Sequence, residues 1–202
     1  MYIKSESLIK GEVTMELFLS EETKANLKGS ETEKNLKNAF IGESQAHTKY
    51  RVFSDVAKEE EYEQIAEIFE ETAHNEKEHA EVWYKLLHDG LSDTLANLKD
   101  AISGETHEYT SMYPDYAKIA KEEGFNDIAK LFEQAAKIER SHQIRYTELA
   151  KNIEEDKVFK KDQAVVWECR NCGNRVYGKE APGRCPFCGY PQGFFELPCH
   201  NY

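Results

Sequence analysis

Two Glu-x-x-His pairs, Glu76 with His79 and Glu139 with His142, lie 63 residues apart, and each trails a lone glutamate, Glu43 or Glu105, by 33 or 34 residues. On an α-helix, positions i and i+3 share a face about one turn apart, so each pair aims a carboxylate and an imidazole at one point. A single such pair says little, because helical Glu and His are common. Two pairs with matching upstream glutamates make a ligand set for two metal ions.

The spacing belongs to an internal duplication. Gly42-Glu43 aligns with Gly104-Glu105; then Ala57-Lys58-Glu59, Ile65-Ala66, Phe69, Ala73, Glu76 and His79 align with Ala120-Lys121-Glu122, Ile128-Ala129, Phe132, Ala136, Glu139 and His142. The offset passes from 62 to 63, which places one extra residue near Pro114. A helical hairpin of this size cannot bury its own apolar face, so the repeat reads as two hairpins that complete one core. One Glu from each of two helices and Glu-x-x-His from each of two others is the arrangement of ferritin-like carboxylate bundles. Four carboxylates and two imidazoles are hard oxygen and borderline nitrogen donors that suit iron or manganese, with zinc less favoured.

Helix signals support four long segments. Ser30 and Glu33 form a capping box, and Glu31 to about Glu59 carries Leu36, Phe40, Tyr50 and Phe53 at helical spacing, with Glu43 near the middle. After a break at Glu60 to Tyr62, a second helix with Glu76 and His79 runs to about Leu87 and stops at Asp89-Gly90. A third holds Glu105 and ends before Gly124, and a fourth, from about Phe125 to Asn152, holds Glu139 and His142. Pro114 falls inside the third, where a missing donor bends a helix; a shaped pocket and a harmless kink are both open. Tyr50, seven residues after Glu43, and Tyr113, five after Glu108, are placed to aim phenols at the bundle interior. His47, His74, His88, His107 and His200 match no ligand spacing and read as solvated polar positions.

A formal charge of −12 and a pI of about 5.1 argue against nucleic acid, whose phosphates need clustered Lys and Arg. Part of that negative charge belongs inside. Five candidate ligand glutamates are costly to bury unpaired, and cations remove the penalty. No stretch reaches the length of a membrane span and no extended apolar region marks a signal peptide, so a cytoplasmic protein is expected. Residues 1–24 admit two readings, a docking arm with the apolar island Leu17-Phe18-Leu19, or a natural start at Met15.

From Lys151 to Gln163 the chain is charged and loses its apolar stripe, as a linker does. Beyond it, Cys169-Arg170-Asn171-Cys172-Gly173 and Cys185-Pro186-Phe187-Cys188-Gly189 are two Cys-x-x-Cys knuckles, each a tight turn that points two thiolates at one metal. Thiols in a chain without export signals favour metal over disulfides. A structural zinc is the default for such a pair taken alone. Beside a redox di-metal site, a four-thiolate iron that cycles by one electron is the better reading. Cys199 lies outside the knuckle spacing and reads as a spare thiol.

These segments together resemble the rubrerythrin family over residues 27 to about 198. The resemblance rests on Leu27-Lys28-Gly29-Ser30 with Thr32-Glu33-Lys34-Asn35-Leu36, Gly42-Glu43-Ser44-Gln45-Ala46, Gly104-Glu105, Glu108-Tyr109, Met112-Tyr113-Pro114, both Glu-x-x-His pairs, and the knuckles after Trp167. It implies a mainly α fold, a ferritin-like four-helix bundle with a small C-terminal rubredoxin-like, β-rich domain built on four cysteines. The expected layout is an extension over 1–28, the bundle over 29–150, the linker over 151–163 and the rubredoxin-like domain over 164–202. It also implies a non-haem di-iron peroxidase that reduces hydrogen peroxide with electrons from NAD(P)H, delivered through rubredoxin or a reductase. Glu43, Glu76, His79, Glu105, Glu108, Glu139 and His142 would then hold the di-iron site, bordered by Tyr50 and Tyr113, and Cys169, Cys172, Cys185 and Cys188 the mononuclear iron. Asn174 departs from the Tyr common after the first knuckle's Gly, which bears on packing around that iron.

Glu108 lies one turn after Glu105, but its repeat counterpart is Ala46, so one metal position has a spare carboxylate. The resemblance implies an iron that moves between Glu108 and His79 with oxidation state. Rival readings are an iron-oxidising or iron-storage protein and a zinc-stabilised scaffold. Symmetry of the hairpins requires the second and third helices to run parallel, joined by a strap of roughly ten residues that spans about 35 Å. Ser92-Asp93 followed by Leu95 and Leu98 looks instead like a helix start. The expectation is a homodimer, domain-swapped so that the first two helices of one chain pack on the last two of another.

Overall fold

The computed structural model describes residues 19–88, 90 and 92–199; Met15, Leu17, Phe18, Asp89 and His200 lie outside them. The elements are α1 (Glu21–Leu27), α2 (Glu31–Glu59), α3 (Glu63–Leu87), α4 (Thr94–His107), a π-helical turn (Glu108–Met112), α5 (Tyr113–Glu122), α6 (Asn126–Glu154), β1 (Lys160–Cys169), β2 (Arg175–Glu180), a 3-10 turn (Gln192–Phe194) and β3 (Phe195–Glu196). They form two compact units that divide between Ser92 and Asp93. Among the described residues no helix is long and apolar enough to cross a membrane.

In the first unit α2 packs along α3 through a seam of small side chains. Ser54 and Ala57 of α2 and Ala66, Ala73 and Ala80 of α3 are buried, and the Ser54 hydroxyl donates to the Ala66 carbonyl at 3.0 Å. The seven-residue spacing of those three alanines keeps them on one stripe. Their small size lets the backbones close up and turns the large residues outward: Ile41, Val52, Phe53, Val56, Ile65 and Ile68 are all exposed on this unit. In the second unit α4 and α5 pack on α6 with the same logic. Ala117, Ala120, Ala129 and Ala150 are buried, while Ile119, Ile128, Leu131, Ile138 and Ile144 are exposed. Each hairpin thus leaves uncovered the apolar face that the duplication expects a partner hairpin to bury.

Helix starts follow the sequence signals. Ser30 accepts from the Glu33 N–H and Glu33 accepts in turn from the Gly29 N–H, while Asp93 caps α4 by accepting from Ala96. α1 is additional to the four expected helices; Ser20 caps it by accepting from the Thr23 N–H. Helix ends show a repeat difference. After α2, Tyr62 N–H bonds to the Ala57 carbonyl and Glu61 N–H to that of Lys58; after α5, Phe125 and Gly124 do the same to Ala120 and Lys121. The turn residue has φ +64° at Glu61 and +89° at Gly124, the left-handed region that disfavours any Cβ. Glu61 is exposed, so its side chain gives little packing in return. Glu61→Gly, which gives the first hairpin the second's cap, is expected to stabilise it by ~1 kcal/mol. Thermal unfolding checks this, with an unchanged or lower Tm as the contrary result.

The third helix does not simply bend at Pro114. It opens into the π-turn Glu108–Met112, where Tyr113 N–H donates to the Glu108 carbonyl, and Pro114 sits in the first turn of α5. A π-turn is an α-helix with one residue inserted. It is the extra residue that shifts the repeat offset from 62 to 63.

The linker is shorter than the expected 151–163. α6 continues to Glu154 because Ala150, Asn152 and Ile153 still face its packed side, and it ends on Asp156 at φ +53°, with Lys157 N–H bonded to the Asn152 carbonyl. Only 155–159 separate it from β1. The sheet that follows is antiparallel in order β2-β1-β3, with Trp167 opposite Val176 and Cys169 opposite Phe195. Trp167, Cys169, Ala181, Cys185 and Phe195 form its core, and the Trp167 indole N–H donates to the Gly178 carbonyl at 3.1 Å. The buried tryptophan therefore carries no unmet polar group.

Candidate functional site

Each hairpin assembles half of the expected ligand set. In the first, His79 Nδ1 lies 2.9 Å from Glu76 Oε2 and 3.8 Å from Glu43 Oε1. In the second, His142 Nδ1 lies 2.8 Å from Glu139 Oε2 and 3.5 Å from Glu105 Oε2. Packing α2 on α3, and α4 on α6, brings the lone glutamate up to the pair that the i, i+3 spacing already aligned. Within each trio one donor atom per residue falls within 4.8 Å of the others. Bonds of roughly 2.0–2.2 Å to one shared ion hold donors up to about 4.4 Å apart, so small side-chain shifts close the shell.

The second trio shows why an ion belongs there. Burial pushes the Glu105 carboxyl above its ordinary range, and the negative charge of Glu139 adds to the effect. Glu105 Oε2 is buried and accepts no hydrogen bond, its 3.5 Å approach to His142 included. A buried carboxylate oxygen without a donor, beside a second carboxylate, is unfavourable until a cation neutralises both. Carboxylate oxygen and imidazole nitrogen fit iron.

Glu108 opens the π-turn and is not one of the two residues grouped with His142. Its charge still reaches the site, as one of the smaller influences raising Glu105. Tyr50 and Tyr113 occupy equivalent repeat positions. Tyr50 has ring centroids 6.2 Å from Phe53 and from Phe69, and Tyr113 lies 6.1 Å from Phe132 and 6.4 Å from Tyr116. The Tyr113 phenol is raised first by burial and then by the charges of Glu139 and Glu108, which puts it beside the carboxylates.

One histidine is misjudged by spacing alone. His47 is half-buried rather than solvated, and its Nδ1 lies 2.8 Å from the Ala73 carbonyl, joining α2 to α3 one turn from Glu76. The carbonyl can only accept, so Nδ1 carries the proton. Its position four residues after Glu43 was the available signal. His74, His88 and His107 are exposed as expected, His88 with its ring 4.2 Å from that of Tyr84.

The four knuckle cysteines are already gathered. Cys169 Sγ lies 3.7 Å from Cys188 Sγ, and Cys172 Sγ 3.7 Å from Cys185 Sγ. Metal–sulfur bonds of ~2.3 Å at tetrahedral angles set sulfurs about 3.8 Å apart, whereas a disulfide needs ~2.05 Å. None of the four knuckle cysteines is in a disulfide. Gly173 at φ +72° and Gly189 at +75° turn the knuckles and donate to the carbonyls of Cys169 and Cys185 at 2.8 and 2.9 Å. The Tyr190 backbone N–H holds the Cys188 thiol down to about 6, while Cys172, against the pull of the Asn174 backbone N–H, is pushed up to about 12 by burial and the other three thiols, so a metal that binds all four would displace a proton from Cys172. Asn174 accepts the Cys169 N–H at 2.9 Å through its carbonyl, while its side-chain Nδ2 is buried without a partner.

Comparison with known proteins gives the same two parts. Residues 34–150 match the family model for rubrerythrin, and residues 167–196 that for the rubrerythrin rubredoxin-like domain. A rubrerythrin of Clostridium perfringens is 48% identical over 88% of this chain and 99% of its own. One from Nitratidesulfovibrio vulgaris is 46% identical over 85% and 96%, and one from Porphyromonas gingivalis 44% identical over 90% and 96%.

Proposed function

The chain belongs to the rubrerythrin family, and from that premise we propose that it reduces hydrogen peroxide to water as a defence against oxidative stress. It is an oxidoreductase whose cofactors are a di-iron carboxylate centre and a four-thiolate iron. One observation carries the peroxidase reading: two repeated Glu, Glu, His trios share a chain with a gathered four-cysteine cluster. The trios suit a centre that passes two electrons together, and the cysteines one that passes them singly. When bound, the irons supply the two electrons that break the O–O bond, and with two protons each peroxide yields two waters.

Glu43, Glu76, His79, Glu105, Glu139 and His142 hold the two metals. Glu108 offers a spare carboxylate where Ala46 offers none, and it would be the ligand to replace His79 on a ferric ion, which favours anionic oxygen over neutral nitrogen. Glu108, as the mobile carboxylate, handles protons, with Tyr50 and Tyr113 bordering the ligands. Cys169, Cys172, Cys185 and Cys188 receive electrons from rubredoxin or an NAD(P)H-dependent reductase. The di-iron bundle runs to the end of α6 at Glu154, and the relay domain begins with β1 at Lys160. Four knuckle thiols outside any disulfide suit a cytoplasmic protein.

The assembly we propose is a domain-swapped homodimer. Parallel α3 and α4 that share a metal site would place the end of α3, eight residues past His79, about 12 Å beyond it. The start of α4, eleven residues before Glu105, would lie about 16 Å short of it on the other side. With a sideways step of 8–10 Å the gap is about 30 Å. The seven Cα steps from Leu87 to Thr94 span at most ~25 Å. A second copy supplies the missing half-site and covers the exposed isoleucines.

The peroxide reading is tested on anaerobically reduced, iron-loaded protein. One equivalent of hydrogen peroxide is expected to oxidise the di-iron centre fully, faster than dioxygen does and without releasing dioxygen. Preferential oxidation by dioxygen with build-up of mineral iron would point to storage. Zinc in the cysteine site of protein grown without added zinc would remove the electron feed.

A further inference from the structure

We propose that Pro114 is a positioning residue, a pin that holds the π-turn directly behind Glu108 and thereby keeps Glu108 and Tyr113 on the metal-facing side of one helix. The proposal rests on the reading of Glu108 as the spare ligand. The extra residue that separates the two repeats has to be absorbed between Glu105, on α4 packed against α6, and Ala117 and Ala120, buried on α5 packed against the same helix. Packing on both sides sets how much must be absorbed but not where. A single π-turn can migrate along a helix, because each step exchanges one bond spanning five residues for one spanning four.

Pro114 removes that freedom. In an unbroken α-helix its missing N–H would leave the Thr110 carbonyl unpaired and its ring would press on that carbonyl. With the turn opened ahead of it, Tyr113 N–H reaches back five residues to Glu108, and Pro114 falls in the first turn of α5, where a proline loses nothing. The angular result is specific. At ~100° per residue, Tyr113, eight residues after Glu105, would lie about 80° around a plain α-helix. With one residue absorbed it returns to within about 20°, as Tyr50 lies seven residues after Glu43. The matching aromatic contacts, Tyr50 with Phe69 and Tyr113 with Phe132, show that the return is made. A turn that slid past Tyr113 toward the C-terminus would swing the phenol off Phe132 and away from Glu139.

Two variants of the full metal-free chain test the pin by crystal structure and amide exchange. In Pro114→Ala the bond from Tyr113 N–H to Glu108 is expected to be partly populated, with Tyr113 amide exchange faster by about tenfold or more. In Pro114→Ala combined with Asp115→Pro the π-turn is expected to move one residue toward the C-terminus, with the N–H at 114 bonded to the Tyr109 carbonyl. A π-turn unmoved at Glu108–Met112 with unchanged protection in both variants overturns the proposal. That result leaves the peroxide reading standing, since neither measurement uses iron or peroxide, and a failed peroxide reaction in the unaltered protein leaves the pin standing.

Discussion

Cys172→Ser is expected to leave a protein that peroxide oxidises once and that no longer turns over. Cys172 supplies one of four sulfurs spaced for a single tetrahedral ion, and it contributes nothing to the Glu and His trios. A hydroxyl in its place is a poor, hard donor for an ion the other three thiolates hold. Losing a ligand outright should cost more than the ~10–100-fold that disturbing an outer-shell partner costs a metal site. Rapid mixing of the chemically reduced variant with peroxide should therefore show the same single oxidation as the parent protein. Steady-state consumption of NAD(P)H through an external reductase should fall to the assay background. Undiminished turnover would remove the relay from the reaction.

Complementation between two inactive variants should restore activity if the dimer is swapped. Glu43→Ala damages the first hairpin and Glu139→Ala the second, so each homodimer has a defect in every site. In a swapped heterodimer, one site joins the two damaged hairpins and the other joins the two intact ones. Random pairing makes half the dimers mixed, and half of their sites whole, so about a quarter of the parent activity should appear on co-refolding. Sites built within single chains would keep a defect in every mixture and recover nothing. The same mixtures report on the exposed faces, because whatever covers Ile41, Ile65, Ile128 and Ile138 must come from the partner chain in the first case alone.

Much of the chemistry was legible because it depends on neighbours along the chain. The i, i+3 spacing of Glu76 with His79 and Glu139 with His142, the capping box at Ser30 and the two knuckles are short-range geometry, and the structure reproduces each one. Asp93 was equally readable: its side chain caps α4 where the Ser92-Asp93 signal put a helix start, which is what shortens the reach from α3. The duplication carried one more message, a residue gained near Pro114, though the sequence left both a harmless kink and a shaped pocket open.

Other features exist only once segments distant in sequence meet. That His47 bonds a carbonyl 26 residues away, instead of facing water, depends on α3 lying against α2. The choice of the alanine stripe as the inner seam, with isoleucines outward, is likewise a decision of packing: several helices carry apolar residues on more than one face, and close approach of two backbones favours the smaller set. The raised Glu105 carboxyl follows from burial and from Glu139, a residue of another helix. The π-turn is the clearest case. Its extra residue is written in the sequence, but a bulge rather than a change of register appears because Glu105 and Ala117 are both held by contacts with α6, and a helix fixed at two points can absorb one residue only by widening between them.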